Sequence, residues 1–177
     1  MTILPVIRRL AADEIGQKVE ELSDLLIDCV EGGASVGFMH PLAREKARAF
    51  WLAIGARAAA GAHELLAVEI GDFFAGSVQL VGAQYENQPH RADVSKLLVH
   101  RRARRRGLGR ALMEATEDLA REAGKTVLVL DTAGDEARRL YDRLNWTIVG
   151  RVPDYALWPD GRLCDTTIMF KRVETRD

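Results

Sequence analysis

Six arginines and two glycines crowd into RRARRRGLGR (101–110), between a strand-like run and a helix-like one. The run before it is RADVSKLLV (91–99). After it Leu108, Leu112, Ala115 and Leu119 recur at helical spacing, one apolar face that ends near Gly124. Gly107 and Gly109 at a helix start let backbone amides approach a ligand with no Cβ between them. Those amides lack intrahelical partners, and the positive end of the helix dipole favours an anion there. Arginines add the charge that suits a diphosphate. Neither GxxxxGK[ST] nor GxGxxG occurs, so an ATP loop or a Rossmann dinucleotide site is not supported.

The remainder of the chain is acidic. Outside 101–110 there are 19 Lys and Arg against 26 Asp and Glu, a net of −7 within a total of −1. A surface for nucleic acid or for a membrane would be broader and more evenly basic. The pattern describes an acidic protein with one concentrated anion site. At 177 residues, 47% hydrophobic and with only 5 Pro, the chain reads as a single domain over 1–177, not a disordered or low-complexity one. Two cysteines, Cys29 and Cys164, are too few for a disulfide framework or a four-ligand zinc site. His40, His63, His90 and His100 show no ligand spacing and are assigned to surface or capping positions, so no metal is expected. No apolar run reaches about 20 residues, and the N-terminus has the wrong charge order for a signal peptide, which points to a cytoplasmic location.

Along the chain, 3–8 suits a strand and 13–30 a helix. A glycine-rich break, GGASVGFMHP (32–41), precedes a second helix over 42–60. Strands are expected at 65–70 and 74–83, joined through Gly71-Asp72, then at 91–99. The basic segment and its helix lead to a short buried strand, TVLVLD (126–131), a helix to about Leu144, and strands at 146–152 and 163–173. Seven strands and four helices in this order make a mixed α/β or α+β domain, not a doubly wound repeat.

Asp93 to Val99 followed by Arg104-Arg105-Arg106-Gly107-Leu108-Gly109 resembles motif A of the GNAT superfamily of acetyl-CoA-dependent N-acetyltransferases. Ala137-Arg138-Arg139-Leu140-Tyr141 resembles its motif B. GGASVGFM (32–39), LDT (130–132) and PDGRL (159–163) are similar to the tabtoxin resistance group, whose acceptor is the amine of a small amino-acid-like toxin. The resemblance implies a mostly antiparallel sheet of about seven strands with splayed fourth and fifth strands. It implies acetyl-CoA as donor, a small-molecule amine as acceptor and a monomer or homodimer. Three positions depart from the pattern: Gly134 stands where an Asn is common, Asn145-Trp146 replaces Gly-Phe, and Cys164-Asp165 replaces His-Pro.

Mapped residue by residue, the resemblance puts the thioester against the backbone of Leu98 and Val99. The pyrophosphate falls on Arg104, Arg105, Arg106, Gly107, Leu108, Gly109, Arg110 and Ala111. Tyr141 becomes the proton donor to the departing thiolate. Asp93 occupies the place of a general base and Asp131 that of a second acid, both also candidates to bind the acceptor ammonium. The mobile-looking glycines around Ser35 and Phe38 nominate those two residues for the acceptor pocket. Each role has a plainer alternative: Tyr141 as core, Asp93 as an edge charge, Asp131 as a helix cap, 32–39 as a structural turn. An acceptor on a protein or peptide, and a non-catalytic acyl-CoA sensor, remain as competing functions.

Overall fold

The computed structural model describes residues 6–174. β1 (Val6–Arg9) leads into α1 (Ala12–Gln17), α2 (Val19–Glu31) and α3 (Arg44–Ala59). Three strands follow, β2 (His63–Ile70), β3 (Phe73–Gly82) and β4 (Arg91–Val99), then α4 (Leu108–Glu122), β5 (Val127–Thr132), α5 (Asp135–Arg143), β6 (Thr147–Leu157) and β7 (Leu163–Arg172). The expected strand at 3–8 begins at Val6; its residues 3–5 lie outside the described residues. The single helix expected over 13–30 is two, because Lys18 leaves the helical region at φ −101° and ψ 19°. Nothing in the apolar spacing marks that break, since Ile15, Val19 and Leu22 run through it. β6 extends five residues beyond its expected end at 152.

The seven strands form one sheet in the order β1-β2-β3-β4-β5-β7-β6. Helix faces explain why it is covered on both sides. Leu22, Leu25, Leu26 and Cys29 of α2, with Ala47, Trp51 and Ile54 of α3, bury one stripe each against Leu65, Ala67, Phe74 and Leu98. On the opposite face Leu108, Leu112 and Met113 of α4 and Tyr141 of α5 pack on Val78, Leu80, Ala92, Val94, Leu128 and Leu130. Each fully buried aliphatic or aromatic side chain there contributes about 1.5–3 kcal/mol. No helix among the described residues is long and apolar enough to cross a membrane.

β4 and β5 form the one parallel pair among these strands, and they pair over three residues only: Arg91 with Val127, Ala92 with Leu128, Asp93 with Val129. Beyond Asp93, β4 stays bonded to β3 as far as Val99, and β5 stays bonded to β7 as far as Thr132. The two inner edges therefore part. A bulge in β4 helps to open them: Ser95 faces Gln79 and Leu98 faces Ser77, so Lys96 and Leu97 together oppose Val78. Lys96 takes a left-handed φ of 51° at this point.

Candidate active site

The gap between β4 and β5 opens into a cleft of about 930 Å³. Its walls are Leu97 to Val99, the start of α4, the exposed side of α5, Trp158, and Cys29 with the Gly32–Ala34 turn. At the mouth, Gly107 caps α4 in a left-handed conformation, φ 78°, which a side chain would strain. The first-turn amides of Leu108, Gly109 and Arg110 face the cleft with no intrahelical acceptor. Ala111, next in the expected pyrophosphate set, differs from these three in that its amide donates to the Gly107 carbonyl at 3.0 Å. A Cβ on Gly109 would sit 3.2 Å from Leu140 Cδ2, so this glycine also sets the closeness of α4 and α5.

The arginines divide by task. Arg101 is held by Asp28 and Glu31 at the end of α2, and Arg102 stacks 4.6 Å over the Phe73 ring. His100, between them and the strand, caps the short turn by accepting from the Arg102 amide at 3.2 Å. Arg104, Arg105 and Arg110 line the cleft, and Arg106 is exposed outside it. Arg110 keeps an ion pair with Glu114 one turn on. Arg139 and Arg143 of α5 complete the basic rim. Sequence reasoning missed them, although their i, i+4 spacing puts both on one helix face.

Deeper in, Arg104 Nε donates to the Val99 carbonyl at 3.2 Å, and Cys29 Sγ donates to the same oxygen at 3.6 Å. His100 N–H bonds Ala75 of β3. Antiparallel alternation from that bond turns the Val99 peptide toward the gap and the Leu98 peptide toward β3. Leu98 and Val99, the expected thioester pair, both line the cleft with the bulge residue Leu97, and of the pair Val99 carries the open edge. Burial is the main cause that pushes the Cys29 thiol up to about 11, so this wall presents a neutral thiol and no nucleophile.

Asp93 and Asp131 lie on the opposite sheet face from α4 and α5, since Ala92, Val94, Leu128 and Leu130 fill that side. Asp93 is bound by the Arg91 guanidinium at 2.5 Å and keeps 42% of its side chain exposed. Asp131 accepts from Thr166 Oγ1 at 2.9 Å. It is not a helix cap, because α5 starts from Gly134. Tyr141 lies on the other side, within the α4–α5 core, 6% exposed and tilted on Trp146, while its neighbour Leu140 lines the cleft. Burial first, and the Asp131 charge second, push its phenol well above the ordinary value. Lys96 went unnoticed in the sequence; burial pushes its ammonium down while Asp131 works against that.

The acceptor-side loop is anchored by the two residues expected to line it. Ser35 Oγ donates to the Leu157 carbonyl at 3.4 Å and lies 3.7 Å from Cys164 Sγ. Phe38 packs edge-on against Phe50, 5.3 Å between centroids. Both side chains are spent on fixing the loop. Gly37, between them, is the residue that approaches the bulge: a Cβ there would lie 3.6 Å from Lys96 Nζ. His40 N–H also bonds Pro159, so the loop bridges to the β6–β7 turn. Among the described residues no group of three or more His, Cys, Asp or Glu is placed to hold a metal ion.

The sequence model of the acetyltransferase (GNAT) family matches residues 20–146. An uncharacterized N-acetyltransferase from the hisH–hisA intergenic region of Azospirillum brasilense is 31% identical over 145 residues, 79% of this chain and 84% of that one. Among solved structures, yncA of Salmonella typhimurium with its cofactor acetyl-CoA superposes with a TM-score of 0.79 at 20% identity, covering 99% of this chain and 97% of that one. A phosphinothricin acetyltransferase from Sinorhizobium meliloti, in complex with acetyl-CoA, gives 0.76 at 14% identity over 98% and 89%.

Proposed function

The chain belongs to the GNAT family of acetyltransferases, and from that membership we propose that it moves the acetyl group of acetyl-CoA directly onto the primary amine of a small, amino-acid-like acceptor. The observation that carries this reading is the parting of β4 and β5 beyond Asp93 into a cleft lined by the α4 start and by Arg104, Arg105, Arg110, Arg139 and Arg143. Acetyl-CoA bound to two proteins of the same fold supports the donor. The fit to this chain is local: the α4 amides and Arg104, Arg105, Arg139 and Arg143 suit a diphosphate, and the Val99 edge suits an extended amide chain.

The residues then divide the reaction. Asp131 holds the acceptor as an ammonium. A water bound by Asp93 takes one proton, which frees the nitrogen lone pair. The amine attacks the acetyl carbon, a C–N bond forms, and the C–S bond breaks as the tetrahedral oxyanion collapses. Hydrogen bonding from the open strand edge lowers the energy of that oxyanion. Tyr141, kept protonated by its burial, gives a proton to the thiolate and is restored by the second proton that the nitrogen sheds as the amide forms. Cys29 forms no acetyl intermediate, since its thiol is neutral at working pH.

Small acceptors are favoured over an extended peptide because the 32–41 loop is tied across to the β6–β7 turn at Ser35 and His40. The similarity of GGASVGFM and PDGRL to the tabtoxin resistance group points the same way, and Ser35 of the first string bonds Leu157 and adjoins Cys164, which flank the second. Retention of Tyr141 and both acids argues against a silent sensor. Thiol release from acetyl-CoA, screened over amino acids, polyamines, aminoglycosides and short peptides, tests the proposal. Turnover confined to peptides would replace it with the peptide acceptor; binding of acetyl-CoA with no turnover on any amine would replace it with the sensor.

A further inference from the structure

A cation in a largely buried position with no protein partner is costly, and Lys96 is one. Among the described residues it makes no ion pair and no hydrogen bond. Every other lysine with a largely covered head has one: Lys171 is closed in by Glu117 and the Leu144 carbonyl. Lys96 stands at the β4 bulge in a left-handed conformation that non-glycine residues seldom adopt. In unbroken alternation it would point with Ala92 and Val94 into the core under α4 and α5. The bulge instead delivers its Nζ to the acceptor side, under Gly37.

The charges around it are few. Asp131 of β5 acts on the ammonium from beyond ion-pair distance. Asp93 of the same strand is neutralised by Arg91. From β7 the facing group is Thr166, already donating to Asp131, and the loop above presents a glycine. A cation with no partner and, apart from it, an exposed carboxylate held only by the Thr166 hydroxyl are what a zwitterion would bridge.

We propose that Lys96 and Asp131 form a subsite for a free α-amino acid, with Asp131 on the ammonium and Lys96 on the carboxylate. This rests on the acetyl-transfer reading above and names its acceptor class. Lys96 is a specificity residue, not a proton carrier. The carboxylate it binds fixes the amine beside the gap and supplies the counter-charge that the fold withholds.

The test compares the twenty proteinogenic amino acids with their carboxamides, by thiol release, in wild type, Lys96→Met and Lys96→Arg. Wild type is expected to prefer the free acid at least tenfold in kcat/KM, through KM. In Lys96→Met that preference falls to about unity; in Lys96→Arg much of it returns. Carboxamides as good as acids in wild type would overturn the subsite, as would a Lys96→Met variant that keeps the preference or slows both series equally. Calorimetry with acetyl-CoA separates the two levels. If wild type neither binds acetyl-CoA nor acetylates any amine, the acetyl-transfer reading fails; if it binds and acetylates without regard to the carboxylate, only the subsite fails.

Discussion

Lys171 Nζ lies 2.7 Å from both carboxylate oxygens of Glu117, and 2.7 Å from the carbonyl of Leu144. One ammonium therefore ties β7 to α4 and to the C-terminal end of α5, the helix that carries Tyr141, Arg139 and Arg143. Both side chains are mostly covered, 18% and 7% exposed. Removing one partner strands the other charge. Glu117→Ala should destabilise the protein by about 3–5 kcal/mol in denaturant unfolding, and Glu117→Leu with Lys171→Met should recover much of that loss. A single-variant loss below about 1 kcal/mol would show that the pair is hydrated and does not clamp α5.

At the cleft mouth the two glycines make separate predictions. Gly107→Ala forces a side chain into φ 78° and should cost about 1 kcal/mol of stability, with little steric change, since nothing lies within 4 Å of its Cβ position. Gly109→Val places a branched group against Leu140 and Val99, pushing α5 from α4. It should raise the acetyl-CoA dissociation constant at least tenfold, about 1.4 kcal/mol, by calorimetry. An unchanged constant in Gly109→Val would remove this helix start from the donor site.

Lys96 has a stability signature independent of any acceptor. Its folded-state pKa is lowered, mainly by burial, relative to the ordinary 10.5. The unfolded chain therefore binds more protons between those two values, and stability rises with pH across that window. Below the folded value the burial cost is fully present. Lys96→Met should therefore melt higher than wild type at neutral pH, and the difference should shrink as pH climbs toward 10.5. A variant that melts lower than wild type at neutral pH would mean that the ammonium has a stabilising partner.

Most of the fold was legible because its elements announce themselves by period: α4 through Leu108, Leu112 and Ala115, β5 through its continuous apolar run. The basic helix start was legible as a place, but the tasks of its arginines were not, since Asp28, Glu31 and Phe73, which hold Arg101 and Arg102, meet them only in the fold. What escaped depends on register. Whether Leu98 or Val99 turns its peptide to the gap is fixed by the β4 bulge, which period-two reasoning steps over. Yet the bulge left a trace: Lys96 falls in phase with Ala92, Val94 and Leu98, all buried, and a lysine there is the misfit that marks a broken register. The contacts of Ser35 with Leu157 and of Phe38 with Phe50 were not legible, because composition locates a loop without saying which side chains hold it down.

Tyr141 and the acidic pair supply the kinetic test. The phenol is raised above the ordinary 10.0, by burial first and Asp131 second, so it stays protonated through the neutral range. It is also less acidic than a free thiol, near 8.5, which makes its proton transfer to the thiolate uphill and limits the gain. Tyr141→Phe should lower kcat by about 10²-fold, the low end of general acid catalysis, with acetyl-CoA affinity nearly unchanged. A drop smaller than about threefold would contradict the role. Wild-type activity should show no alkaline loss attributable to Tyr141 below pH 10, the sign that follows from a raised acid. For the carboxylates the split is between KM and kcat. Asp131→Asn should raise the acceptor KM more than it lowers kcat, because it removes a charge that binds the ammonium. Asp93→Asn should lower kcat and flatten the acidic limb of the pH profile, because it removes the sink for the amine's proton. Thr166→Val, which withdraws the donor 2.9 Å from Asp131, should mimic a mild Asp131→Asn in KM and leave the pH profile alone. Normal kinetics in the double Asn variant would sink both assignments, whatever the outcome at Tyr141.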